Sequence, residues 1–174
     1  APAGTAPEGS GVIVSNNGLI VTASHVVSRA TDVIVRDIKG NKFNAEIIFD
    51  DPLTDLALLK TKINNNKINI NLKRPKIGSN TCLISNSFGL DLNITCGIVS
   101  SNRKSGIGFN SKEDFIQIDA AANPGSSGGA VVNENGELIG IMSGIFTKQS
   151  DTNVGVNFAI SSELLIETIS HLLK

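Results

Sequence analysis

Short aliphatic runs, each closed by a turn signal, govern what this chain can fold into. Val12-Ile13-Val14 and Leu19-Ile20-Val21 flank Ser15-Asn16-Asn17-Gly18, where Asn-Gly supplies the positive φ of a tight hairpin. A second hairpin is expected to pair residues 32–38 with 43–49 across Lys39-Gly40-Asn41, and residues 55–60 follow as another strand. Strands resume at 81–85, 93–100, 114–119, 129–133, 137–145 and 154–160. So many short strands at regular spacing predict a sandwich or barrel. With no Trp or Tyr and only 7 Phe, the core must be aliphatic, and Ile and Val favour strands over helices. Only residues 161–174 read as a helix: Ser161 can cap it, Glu163 suits its first turn, and Leu165, Ile169, Leu172 and Leu173 form one stripe.

A length of 174 residues admits one ordinary domain or two small ones sharing an interface. Residues 1–9 read as a loose tail, 10–62 as a first strand-rich unit, 63–76 as a connection and 77–160 as a second unit. The connection carries Asn64-Asn65-Asn66 and Pro75, although Ile68, Ile70 and Leu72 alternate as a short strand would. Lys+Arg 15 against Asp+Glu 16 lacks the basic excess of a nucleic-acid binder. His25, His171, Cys82 and Cys96 include no C-x-x-C or H-E-x-x-H spacing, so neither a metal site nor a cofactor is expected. No apolar run reaches membrane-spanning length, and the first ten residues lack the layout of a signal peptide.

The chemistry concentrates in Asn123-Pro124-Gly125-Ser126-Ser127-Gly128-Gly129, where glycines crowd a serine just before a strand. Alone, this would be a glycine-rich turn. Upstream, however, lie Thr22-Ala23-Ser24-His25-Val26-Val27, with a histidine at the end of a hydrophobic strand, and Asp51-Pro52-Leu53-Thr54-Asp55-Leu56. Each has a plain reading too, a half-buried imidazole and an acid opening a strand. Together they supply base, orienting carboxylate and nucleophile in the chain order His25, Asp55, Ser127. Ser127-centred G-x-S-x-G followed by Asp151 and His171 also fits the order of an α/β-hydrolase. That elbow must enter a helix, whereas Gly129-Ala130-Val131-Val132 reads as a strand, and His171 is better placed as a cation at the end of the terminal helix.

The ordered motifs resemble the protease domain of the HtrA/Deg family of chymotrypsin-fold serine proteases. They are Gly9-Ser10-Gly11-Val12-Ile13-Val14, the His25 segment, Thr54-Asp55-Leu56-Ala57, Asn86-Ser87-Phe88-Gly89-Leu90, Thr95-Cys96-Gly97-Ile98-Val99-Ser100, the segment 119–129, Asn135-Gly136-Glu137-Leu138-Ile139-Gly140-Ile141 and Gly155-Val156-Asn157-Phe158-Ala159-Ile160. The resemblance implies an all-β fold of two six-stranded antiparallel barrels with a C-terminal helix. It implies a serine endopeptidase in which His25, Asp55 and Ser127 are catalytic, and Gly125 and Ser127 N–H groups form an oxyanion hole. Ala121, Ala122, Ser143, Gly144 and Ile145 fall at the substrate site and carry no charge, which suits small or medium aliphatic residues before the cut.

The same family implies unfolded polypeptide substrates, a bacterial periplasm or envelope, a homo-oligomer (a trimer in relatives) and a PDZ domain following such a chain. A non-cleaving chaperone or peptide-binding module of the same fold is the alternative. Ser126 stands where digestive members of the fold carry aspartate, which argues for control by loop ordering at residues 102–112 and 146–153. Ser87 replaces a proline of the common motif. Cys82 and Cys96 sit on successive strands, and both a disulfide and two buried thiols remain open.

Overall fold

The structure, a computed structural model, describes residues 9–86, 91–147 and 153–173, with backbone alone at 145–147. Two antiparallel sheets account for it. The first is a five-stranded sheet in the order β1-β2-β5-β4-β3, formed by β1 (Val12–Ile13), β2 (Leu19–Ala23), β3 (Val33–Arg36), β4 (Lys42–Asp51) and β5 (Leu56–Thr61). The second is a closed barrel, β10-β11-β8-β7-β6-β9, from β6 (Asn80–Ser85), β7 (Asn93–Lys104), β8 (Phe115–Ile118), β9 (Ala130–Val132), β10 (Leu138–Thr147) and β11 (Asn153–Ser161). The two-unit, trypsin-like all-β class is as the sequence implies. The first unit differs in detail: among the described residues it has five strands and no closing ladder between β1 and β3. A two-residue β1 offers too few backbone groups to close it.

The first hairpin has the register Val12↔Val21 and Ile13↔Ile20. Gly18, at φ +89, closes the turn, and a Cβ there would lie 2.0 Å from the Thr61 carbonyl oxygen, so only glycine lets β5 come this close. In the second hairpin Asp37 Oδ1 accepts the N–H groups of Lys39 and Asn41, both at 2.9 Å, and closes the turn.

Three apolar clusters hold the units. One fills the barrel with Leu83, Val99, Ile116, Ile118, Val131, Ile139 and Met142. Another lies on one face of the first sheet around Ile20, Ala57, Leu59 and Ile63. The third joins the units, with Val12, Val14, Val21, Leu56 and Leu58 meeting Phe115, Leu138, Phe158, Ile160 and Leu165. The connection 63–76 makes one parallel bridge, Ile70↔Leu138, rather than a strand. Ile68 N–H donates to Ile13 C=O at 3.0 Å, so the segment touches both units.

The C-terminal helix is shorter than its periodicity predicts: α2 spans Ser162–Ile169, and a 3-10 turn, Ser170–Leu172, follows. Ser161 caps it by accepting the Leu164 N–H. His171 lies on the 3-10 turn that continues the helix, its ring edge-on to Phe49 with centroids 6.0 Å apart. Cys82 and Cys96 face one another across β6 and β7 as a disulfide, with Cα atoms 4.0 Å apart. No described helix is long and apolar enough to cross a membrane.

Candidate active site

His25 is not at the end of a strand. β2 stops at Ala23, and His25 sits on a four-residue helix, α1 (Ser24–Val27), too short to show any periodicity in sequence. Asp55 precedes β5 with φ +64, a left-handed conformation in which Asp is more tolerated than most residues. The bend is fixed from both sides: Ser24 N–H donates to Asp55 C=O at 2.9 Å, and His25 N–H donates to Asp55 Oδ1 at 2.9 Å. His25 Nδ1 then lies 2.8 Å from Asp55 Oδ2 and 3.0 Å from Oδ1. The third donor to this carboxylate is Ser143 Oγ–H, at 2.7 Å from Oδ2.

The imidazole side chain is 52% exposed while the carboxylate is 9% exposed, so one end of the pair faces solvent and the other is held in the protein. The hydrogen bond from Asp55 raises the His25 pKa above its ordinary 6.5; burial opposes the shift and the carboxylate's charge adds to it. This arrangement holds one tautomer, with the proton on Nδ1 and Nε2 left as the basic nitrogen.

The serine loop is built to meet it. Ser126 N–H donates to Asn123 C=O, Gly129 N–H to Ser126 C=O, and Gly128 N–H to Met142 C=O at 2.8 Å. Buried Ser126 Oγ accepts from Asn123 N–H at 3.0 Å and from Ser85 Oγ–H at 3.2 Å. Among the described residues, the two N–H groups of the loop that donate to no protein acceptor are Gly125 and Ser127. These are the pair expected to form the oxyanion hole. Gly128, at φ +86, is pressed against the first sheet: a Cβ there would lie 2.1 Å from Ser10 O, 2.5 Å from Thr22 Oγ1 and 3.1 Å from Ala23 N. The nucleophile candidate is therefore seated against the strand end that leads into His25. Ser127 Oγ forms no hydrogen bond among the described residues, His25 included; such contacts are often long without substrate and tighten when it binds.

Two participants carry roles that sequence reasoning missed. Ser10 donates its N–H to Ser127 C=O at 2.9 Å and its hydroxyl to Gly125 C=O at 2.7 Å, clamping both ends of the serine turn. Its only sequence signal is a serine bracketed by Gly9 and Gly11 before the first strand. Ser143, expected on the substrate edge, also spends its hydroxyl on Asp55.

The remaining predicted residues fall as follows. Ala121 is exposed, Ala122 is fully buried among the barrel-core side chains, and Gly144 lies on β10. The Ile145 backbone pairs with Asn157, and its side chain lies outside the described atoms. β10 pairs with β9 from Leu138 to Ile141, and Met142 continues that contact through Gly128 and Gly129; beyond it, among the described residues, the Ser143–Ile145 backbone has no partner on the β9 side. A cavity of about 610 Å³ between Ser15-Asn16-Asn17 and residues 67–70 involves none of these groups. Edge pairing by an extended chain needs no enclosed cavity.

The hydrolase elbow of the rival order is excluded, because Gly129 enters strand β9 and not a helix. Asp151, Ser87 and most of the 146–153 segment lie outside the described residues. Residues 102–104 belong to β7, and the loop after them is gathered by Glu113. Burial opposes ionisation there, but the N–H groups of Asn110, Ile107, Phe109 and Gly108 hold the Glu113 carboxyl below its ordinary range.

A profile described as "Trypsin-like peptidase domain" matches residues 9–141. The chain belongs to this family. It is 41% identical over 170 residues to the periplasmic serine endoprotease DegP of Escherichia coli K12, a match covering 95% of this chain and 36% of DegP. It is 39% identical over 171 residues to the serine endoprotease DegS of the same strain, covering 48% of DegS. A solved HtrA-type protease, AlgW with a decapeptide, superposes with TM-score 0.89 at 39% identity, covering 94% of this chain and 51% of AlgW. A serine endoprotease from Yersinia pestis superposes with TM-score 0.83 at 36% identity, covering 99% of this chain and 60% of that one. The chain thus spans about a third to a half of the curated relatives it matches.

Proposed function

We propose that this chain is a serine endopeptidase acting on unfolded polypeptide by acyl transfer. Ser127 Oγ attacks the peptide carbonyl as His25 Nε2 takes its proton, forming the tetrahedral adduct. The C–N bond then breaks, and the proton passes from His25 to the leaving amine. Water repeats the sequence on the acyl-enzyme, releasing the acid and regenerating the serine. Asp55 holds the tautomer and stabilises the imidazolium, and the N–H groups of Gly125 and Ser127 receive the developing oxyanion, each worth about 3 kcal/mol at the transition state.

The observation that carries this reading is the loop that bonds its other N–H groups internally or to β10 and leaves those of Gly125 and Ser127 without an acceptor among the described residues. Substrate would extend the ladder at Ser143–Ile145 on the side away from β11, where β9 no longer pairs with β10. Such pairing selects extended, unfolded chains. Ala121 and the backbone of Ser143 and Gly144 give an uncharged lining suited to a small or medium aliphatic residue before the cut, with the Ala122 methyl turned into the barrel core. The Cys82–Cys96 disulfide suits an oxidising compartment such as the periplasm, which also appears in the name of DegP.

The test is cleavage of an unfolded protein such as casein, together with mapping of the cut sites. Fragments ending in small aliphatic residues, lost in Ser127→Ala, support the reading. Capture of casein without any cleavage, with or without a C-terminal peptide activator, would refute it and favour a binding module.

A further inference from the structure

Gly144 occupies the open stretch of β10, and the face toward which its side chain would point is already filled. A Cβ at Gly144 would lie 2.7 Å from Cδ2 and 2.9 Å from Cε2 of Phe109. Phe109 comes from the loop between β7 and β8, so an aromatic ring from elsewhere covers a strand position that has no side chain. The ring is packed from behind, edge-on to Phe158 and Phe115 at centroid distances of 5.6 and 6.5 Å, yet 42% of the residue stays exposed.

Its position is held, and it is held beside the candidate catalytic groups. Glu113 carboxylate oxygens accept the N–H groups of Ile107, Phe109 and Asn110 at 2.7, 2.8 and 2.9 Å. Asn110 Nδ2 donates to Thr54 C=O at 3.3 Å and, more weakly, to Ser143 Oγ at 3.5 Å, the hydroxyl that supports Asp55. Lys112 N–H donates to Leu53 C=O at 2.9 Å. The loop that carries the ring is therefore tied to Leu53 and Thr54, the segment that leads into Asp55. A large apolar side chain kept half-exposed by a fixed backbone is the form of a binding wall.

We infer that Phe109 is a specificity-determining residue, forming an apolar wall for alternate substrate side chains. This rests on the endopeptidase reading above. In a substrate paired with Ser143–Ile145, successive side chains point to opposite faces. The residue before the scissile bond enters the Ala121 side, so the second and fourth residues before it share the opposite face and meet the Phe109 ring. The preferred substrate is then a segment with apolar residues at alternate positions, as in a core strand exposed by unfolding, and not merely one with an aliphatic residue at the cut.

The experiment uses two matched peptide series with leucine or aspartate at the second or fourth residue before the cut. The ratio of kcat/KM, Leu over Asp, is taken within each variant so that a general loss of activity cancels. Wild type should favour leucine at one or both positions, and Phe109→Ala should reduce that ratio roughly tenfold. Phe109→Arg should invert it toward aspartate, a gain that misfolding cannot produce. A ratio that Phe109→Ala and Phe109→Arg leave unchanged, in an enzyme that cleaves the peptides, overturns the wall and leaves the endopeptidase reading standing. Absence of cleavage and of Ser127 labelling by a phosphonate in wild type overturns both.

Discussion

Replacing Asp55 by Asn preserves the shape of the side chain while changing what it can accept. In the structure three donors converge on the carboxylate: His25 N–H at 2.9 Å, His25 Nδ1 at 2.8 Å and Ser143 Oγ–H at 2.7 Å. An amide has one acceptor oxygen, so its NH2 group must face at least one of these donors. If it faces Nδ1, the imidazole becomes the acceptor there, and its proton moves to Nε2, which can no longer take the Ser127 proton. The same exchange in Ser-His-Asp enzymes lowers turnover about ten-thousand-fold, or about 5.4 kcal/mol on the barrier. KM should change little, because the carboxylate does not touch substrate.

The pH profile supplies an independent check on the same variant. With His25 as the proposed base, activity needs its neutral form, so the wild-type acid limb should have a midpoint above the ordinary 6.5. Asp55→Asn removes the hydrogen bond and the charge that raise the pKa and leaves the burial that lowers it, so the limb moves down. Linkage has the matching sign: a raised histidine pKa adds stability below its unfolded value, and that stability is lost as pH rises through the folded value. The exposed imidazole keeps this contribution small. The assay is kcat and KM on a peptide substrate from about pH 5 to pH 9. A loss below tenfold, or an acid limb that stays in place, would refute the role of Asp55.

Other substitutions test the scaffold. Gly128→Ala places a methyl against Ser10 O and Thr22 Oγ1 at φ +86 and should cost roughly 3 kcal/mol or more in urea unfolding, along with activity. Gly136→Ala, at φ +74 with open space around it, should cost only about 1–2 kcal/mol; equal effects would show that the Gly128 contact is unimportant. Replacing both Cys82 and Cys96 by Ser should lower stability by roughly 3 kcal/mol, since the crosslink closes a loop of sequence separation 14. Reductant should do the same to wild type and nothing to the double variant, and a wild type insensitive to reductant would contradict the crosslink.

Strand positions were legible because alternation and Asn-Gly turns are local signals: the 12–21 hairpin, β6 and β8 lie where expected. Boundaries set by tertiary contacts were not. β7 runs on to Lys104, and His25 left its expected strand for α1 because Asp55, 30 residues away, draws in its backbone N–H. The His25–Asp55 pairing could be named from chain order, but the service of Ser10 to the serine loop could not. It depends on a contact between residues 115 apart, from Ser10 Oγ to Gly125 C=O, and no local pattern encodes it. Phe109 was hidden for a related reason: its importance comes from the missing side chain at Gly144, on another element. The paired cysteines lay between these cases, since adjacent strands were expected and only the register Cys82↔Cys96 decides the bond.

The central claim is that Ser127 is a nucleophile activated by His25, and covalent labelling tests it most directly. A serine-reactive phosphonate, followed by peptide mapping with mass spectrometry, should modify Ser127 alone, more slowly below the His25 pKa, and should fail in His25→Ala. Modification of Ser126 instead, or no modification in a folded chain supplied with a peptide activator, would contradict the account.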